Sequence, residues 1–372
     1  MKLNQHPLLQ ATQGTHRHVE SEHYGAVGAG RKIYIQAALH ADETPAMLVA
    51  AHLRRQLAVL ENAGRLNAQI VLVAVANPAG LGQYILGAPS GRFELGSGRN
   101  YNRGFPVPYQ AIAEKIEFRL GQDIDANRAL IRQAWGECLR AAQPMDEYQS
   151  LQQTLMLLAH DADIVLDLHC SREAAMHLYT GEAVWPTIEP LARYIGAEAT
   201  LLATDSQANS FDEALYLLWV NLRERFGARF PIPDSSIAVT VEHRGQRDVS
   251  YELADHDATA IIDYLTHLGA IEGTPRPLPA LRSPATPLAG SEQFYAPSAG
   301  VLVHRAAVGS RIEAGQALFD IVDPHSGKTV TVNSHNTGVL YMRRDVRFVK
   351  PGDPLGRVSG ATPIRSGKLL SA

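Results

Sequence analysis

The feature that most constrains this chain is a strand that runs through a tight loop straight into a helix, at residues 33–60, which begin IYIQAALHADETPAMLVAAHL. The apolar run ending at Leu39 reads as a buried strand. Thr44 followed by Pro45 reads as an N-cap with proline at the first helical position, so a helix must start there. His40 and Glu43 are therefore held at the carboxyl end of a strand, where open α/β sheets place their ligands. Imidazole nitrogen and carboxylate oxygen are both zinc ligands, and a three-residue step on a rigid turn can bring them onto one ion. In a chain with 15 histidines such a pair arises by chance about once, and its ordinary reading is a solvated loop. A third candidate ligand, His169, adds weight because it ends the apolar run of DADIVLDLHC in the same kind of position.

A parallel sheet needs enough chain to cover both of its faces, and 372 residues suffice for two or three domains. A hydrophobic fraction of 45% and a charged fraction of 19% are those of a globular protein. The formal charge of −4 supplies no basic field for nucleic acid or an anionic membrane, so neither partner is expected. No apolar run reaches 18 residues and the N-terminal stretch has no apolar core of signal-peptide length, so a cytoplasmic location is expected. Two cysteines, Cys138 and Cys170, are too few for a disulfide framework and agree with a reducing compartment.

Along the chain, strands alternate with helices as far as about residue 268. Expected strands cover 33–39, 69–76, the run ending at His169, the neighbourhoods of 175–179 and 200, and a run from Ile237 that delivers Glu242. Expected helices include two or three within 109–159, one near Pro190, one over 211–226 and one over 254–268. The alternation predicts an α/β domain at 1–272, its mostly parallel or mixed sheet flanked by helices. His40, Asn77, His169 and Glu242 then surround one crevice. Between Gly80 and Pro108 periodicity is absent while Arg92, Arg99 and Arg103 collect, and a loop that long in a compact domain is usually functional or disordered. Composition changes at 273–290, a proline-rich linker. Residues 291–372 carry short apolar runs separated by glycine turns, and a Gly-Val-Leu run recurs in each half, which predicts a small all-β, barrel-like domain.

The ordered spread LHADE, ANPAGL, GRNYNRGFP, VLDLHC and VTVEHRG resembles the succinylglutamate desuccinylase and aspartoacylase family, within the zinc carboxypeptidase-like enzymes. It covers roughly residues 30–270 and is far more specific than any one motif. The resemblance implies one zinc ion per chain, held by His40, Glu43 and His169, with an open position for water. It implies Glu242 as general base. It makes Asn102 and Arg103 the pair that grips a substrate carboxylate, with Arg92 the candidate to polarise the scissile carbonyl. Asp167 reads equally well as a group orienting His169 or as an ordinary strand-end carboxylate. VTVEHRG carries one residue more before Gly245 than the commoner form of its motif, so Arg244, expected at the substrate, has no fixed place. Arg99 reads better as a solvated loop charge.

The expected function is zinc-dependent hydrolysis of the amide of an N-acylated amino acid or similar small carboxylate, through attack of zinc-bound water. A metallocarboxypeptidase acting on a peptide C-terminus needs the same arginine, and a non-catalytic metal- or ligand-binding protein needs no base. The expected partner is the small-molecule carboxylate substrate, and a homo-oligomer is compatible with the sequence. The C-terminal domain resembles biotinyl/lipoyl barrels in its paired glycine turns. Its turn lysine, Lys328, lacks the methionine neighbours of a biotinylation site, so an unmodified domain bordering the active site or an oligomer interface is expected.

Overall fold

The computed structural model describes residues 1–370. A nine-stranded mixed sheet forms its centre, in the spatial order Lys2–Pro7, His18–Tyr24, Gln69–Val73, Lys32–Ala37, Ile164–Ser171, Ile237–Gly245, His177–Thr180, Ala199–Leu202 and Thr286–Pro287. The four strands from Gln69–Val73 to Ile237–Gly245 run parallel. Their carboxyl ends therefore share one edge, and His169 pairs directly with Glu242 across it. Antiparallel pairs lie outside this centre, including the first two strands and the contact of Ile237–Gly245 with His177–Thr180.

The central strands are buried on both faces, as continuous Val/Ile/Leu runs require. On one face Tyr34, Val71, Val73 and Val165 pack with the helices Tyr109–Ile116, Ile124–Ala141, Glu147–Ala159 and Phe211–Phe226. On the other, Ile33, Ile35, Leu166, Leu168, Val239 and Val241 pack with Thr44–Asn62, Trp185–Ile195 and Tyr251–His267. Alternate residues of each strand go to alternate layers, which is the period-2 geometry of a pleated strand.

The segment after Ile271 is tied down along its length. Leu278 and Leu281 pack on the second core, Arg193 donates to Pro279 O, Tyr194 donates to Arg276 O, and Thr286–Pro287 adds an edge strand to the main sheet. Beyond it, antiparallel strands form two four-stranded paths, the first joined by Glu173–Ala174 as a fifth strand, rather than a closed barrel. The expected barrel does not close; instead Gly338–Arg343 pairs antiparallel with Glu173–Ala174, the segment just past His169, and so joins the two parts of the protein. The repeated Gly-Val-Leu runs open the strands Gly300–His304 and Gly338–Arg343. A Cβ on Gly338 would stand 1.8 Å from Ser359 O, and one on Gly300 2.5 Å from Val322 O, so close backbone approach explains the repeat. Lys328 lies on the exposed turn between Ala317–Val322 and Thr329–Asn333. Among the described residues no helix is long and apolar enough to cross a membrane.

Candidate functional site

The first strand of the site ends at Ala37, and Ala38 turns the chain at φ +59°, a left-handed conformation unusual for alanine. The strained loop is pinned: Ala41 N donates to Gly91 O (3.1 Å), and Asn77 Nδ2 donates to Leu39 O (3.0 Å). Asn77, expected in the crevice, is thus spent on holding the loop. The helix begins at Thr44, but Glu43 rather than Thr44 occupies its N-cap position and makes no side-chain cap. Its carboxylate is used across the sheet instead. Oε2 accepts Cys170 N at 3.0 Å and lies 2.8 Å from His169 Nδ1, while Oε1 lies 2.9 Å from His40 Nδ1.

Ligand atoms of His40, Glu43 and His169 all lie within 4.8 Å of one another, and all three residues are buried. Their far sides are fixed. His40 Nε2 lies 2.8 Å from Asn100 Oδ1, an acceptor, so that nitrogen carries the proton and Nδ1 presents its lone pair to the cluster. Asp167 Oδ2 stands 2.9 Å from His169 Nε2, an ion-pair distance without the alignment of a hydrogen bond, and Gln36 Nε2 donates to Asp167 Oδ1 at 2.9 Å. Such outer partners fix the ring orientation of a metal-ligating histidine. Two buried imidazole nitrogens and a carboxylate converging on one point form a donor set able to hold a metal ion, and that set suits zinc.

Charges in the cluster are shifted accordingly. Burial pushes His40 down to about 4. Burial would also lower His169, but the Asp167 and Glu43 carboxylates beside it hold it well above its ordinary value. Glu43, despite burial, is held well below the usual carboxyl range by the two imidazoles. Glu242 moves the other way. Burial, reinforced by the Glu43 charge, pushes it up to about 7. Its contact is Ser171 Oγ at 3.3 Å.

Arg244 corrects a further expectation. The extra residue before Gly245 is absorbed as a bulge between Glu242 and Gly245, with Arg244 at φ +63°. Its guanidinium pairs with Asp257, which also takes His243 Nδ1 at 2.8 Å, and Arg244 does not line the cavity. The remaining candidates do come together. His40, Glu43, Arg92, Asn102, Arg103, His169 and Glu242 line one cavity of about 440 Å³. Arg92 Nη1 donates to His40 Nδ1 and Glu43 Oε1, each at 3.2 Å. Asn102 Oδ1 accepts Phe211 N (2.8 Å), and Arg103 Nη1 donates to Asn102 O (2.6 Å). Burial pulls Arg103 down to about 10. Arg99 instead pairs with Asp146 and lies over the Tyr148 ring.

The far wall is built by residues the motifs did not point to: Gln293, Met342, Arg343, Arg344, Leu355 and Arg357 of the C-terminal part. Asn100 was also missed, although it stands inside the GRNYNRGFP motif. Asp212, at the start of Phe211–Phe226, faces the cavity with its carboxyl pushed up to about 6 by burial.

Because Glu242 has a folded-state value of about 7 against an ordinary 4.5, the metal-free protein loses stability from this group as pH rises through that window. Removing the charge removes the cost. Metal-free Glu242→Gln is expected to melt above metal-free wild type at pH 8, with the difference vanishing as pH falls below the ordinary value of 4.5, near pH 4. Calorimetry at both pH values checks this, and a lower melting point for the variant at pH 8 contradicts it.

An α/β sheet with a buried His-Glu-His cluster and a further glutamate at the ends of its central strands defines a hydrolase-type architecture with a candidate metal centre. The profile of the succinylglutamate desuccinylase/aspartoacylase catalytic domain matches residues 29–268. The chain belongs to that family. A family protein from Shewanella amazonensis SB2B is 26% identical, with 96% of this chain and 98% of that one covered and a TM-score of 0.84. One from Shewanella frigidimarina NCIMB 400 is 25% identical over 96% and 97%, with a TM-score of 0.83. The ectoine utilization protein EutE (DoeB) of Ruegeria pomeroyi shares the fold at 16% identity, over 96% and 93%, with a TM-score of 0.66. The comparison with curated proteins found no match.

Proposed function

We propose that the protein is a zinc-dependent deacylase that hydrolyses the amide bond of an N-acylated amino acid or a similar small carboxylate. The observation that carries this reading is the convergence, in one cavity, of the His40–Glu43–His169 donor set with Glu242, Arg92 and Arg103. Zinc held by the three donors supplies Lewis acidity, lowering the pKa of a water and polarising a carbonyl. Glu242 takes a proton from the attacking water and passes it to the departing amine nitrogen, so the products are a carboxylate and a free amino acid. A base with a value near 7 is matched to neutral pH. Arg92 is placed to donate to the oxygen on which negative charge develops. Arg103 and Asn102 hold the substrate carboxylate, for which a guanidinium fork is geometrically suited.

Enclosure of the cavity by the C-terminal part favours small substrates over a peptide chain. A panel of acyl amino acids and short peptides, with and without a chelator, tests the reading. Turnover of acyl amino acids that chelator abolishes and zinc restores is expected. Hydrolysis of peptides alone, or turnover indifferent to chelator, contradicts it.

Arg103→Ala is expected to raise KM for anionic substrates by about tenfold or more, the scale of a charged hydrogen bond. Analogues with that carboxylate replaced by an amide should lose much less. Equal losses for both would make Arg103 a shaper of the loop.

A further inference from the structure

The direction of Glu242 rests on an interrupted piece of strand. The sheet registers pair Glu242 with His169 on one side and His177 on the other, and Gly245 with Ser171, which leaves His243 and Arg244 between them as the bulge. Beyond it Gln246 N donates to Ser171 O at 2.9 Å and Gln246 Nε2 to Asp42 Oδ2 at 2.9 Å, so the chain returns to the loop that carries His40 and Glu43. Both ends of the interruption are thus anchored. The two middle residues have no place in either register.

What holds them is Asp257, fully buried on the helix Tyr251–His267. His243 Nδ1 lies 2.8 Å from Asp257 Oδ2, an acceptor, so that nitrogen carries the proton, and Arg244 Nη2 donates to the same oxygen. The other oxygen, Oδ1, takes His256 Nδ1 at 3.0 Å. Consecutive residues of a regular strand point to opposite faces, and it is the left-handed turn of Arg244, at φ +63°, that brings both to one carboxylate. Such a backbone at a non-glycine residue persists where the surroundings over-determine it, and the Arg244–Asp257 pair supplies that constraint. The helix itself is fixed, because Ala254, Ala258 and Ile261 are buried in the second core layer.

The tether on Glu242 itself is slight. Its carboxylate has the 3.3 Å bond from Ser171 Oγ, and the residue stands immediately before the bulge. A rotation of the backbone at 243 therefore moves the carboxylate relative to the His40–Glu43–His169 cluster. A displacement of about 1 Å in a reacting group can cost roughly 100-fold in rate.

We propose that Asp257 is a positioning residue for Glu242: by binding His243 and Arg244 through one carboxylate oxygen it sets the bulge, and the bulge sets the direction of the base. The inference rests on the reading of Glu242 as the proton acceptor of the deacylase. It assigns a part in turnover to a side chain that does not line the cavity.

A double-mutant cycle on the zinc-loaded protein tests it. Asp257→Asn keeps the shape of the side chain but leaves one acceptor oxygen for three partners. It is expected to lower kcat by roughly 10- to 100-fold, with KM and zinc content unchanged. In the Glu242→Gln background the same change should cost nothing more, since the group it aims is already lost. An equal loss in both backgrounds, or an unchanged kcat in Asp257→Asn, overturns the proposal. Should that variant not fold, Arg244→Gln carries the cycle, because it removes one donor and leaves Asp257 paired with His243; the same non-additive loss of kcat is expected, and its absence overturns the proposal. Crystal structures separate the inference from the reading beneath it. If Glu242→Gln keeps its turnover, the base lies elsewhere and that reading falls; a Glu242 carboxylate displaced in the Asp257→Asn structure then upholds the positioning, and one that has not moved overturns it.

Discussion

Glu242→Gln is expected to keep its fold and its metal and to lose turnover by roughly 100- to 10,000-fold, the range spanned by general acid–base groups. The amide matches the carboxylate in shape but cannot accept a proton, so the loss should fall on kcat, with KM little changed. The geometry makes this a clean test. Glu242 contacts Ser171 Oγ at 3.3 Å and belongs to no ion pair among the described residues, so no buried partner is stranded by the change. Activity within a few-fold of wild type would make Glu242 a structural residue.

The second large effect concerns the donor set. His40→Ala and His169→Ala should each lose bound zinc on gel filtration, and Asn100→Ala should weaken binding by roughly 10- to 100-fold, as removal of an outer partner typically does. The grading distinguishes a ligand from a group that only orients one, since Asn100 Oδ1 contacts His40 Nε2 and Asn102 N and none of the converging donor atoms. Inductively coupled plasma mass spectrometry after dialysis against a weak chelator measures it. Full zinc retention in both histidine variants would place the metal elsewhere.

Much of this site was legible because its signals are local. Pro45 fixes where the helix starts, and that start fixes His40 and Glu43 at a strand end; the same holds for His169 at the close of a continuous apolar run. The one local error, Thr44 as the cap, arose because Glu43 occupies that position with its carboxylate turned to the two histidines. What escaped was whatever the topology alone brings in. Gln36 reaches Asp167 across 131 positions of sequence, and Arg357 enters through a strand pairing between Glu173–Ala174 and Gly338–Arg343 that no periodicity announces. Arg244 was misplaced because one added residue became a bulge, which turns a side chain from the crevice to Asp257. The barrel expectation failed for a related reason: a glycine repeat records where backbones approach closely, and both closed and open arrangements of strands demand that.

The central claim is that zinc and a substrate carboxylate meet in this cavity. The most direct measurement is a crystal structure of the zinc-loaded protein with a carboxylate product, recorded at the zinc absorption edge. The account predicts a single anomalous peak at about 2.0–2.2 Å from His40 Nδ1, His169 Nδ1 and a Glu43 oxygen. It also predicts the product carboxylate on Arg103, with Glu242 facing the metal. A peak on other residues, no peak at all, or product bound outside the cavity would contradict it.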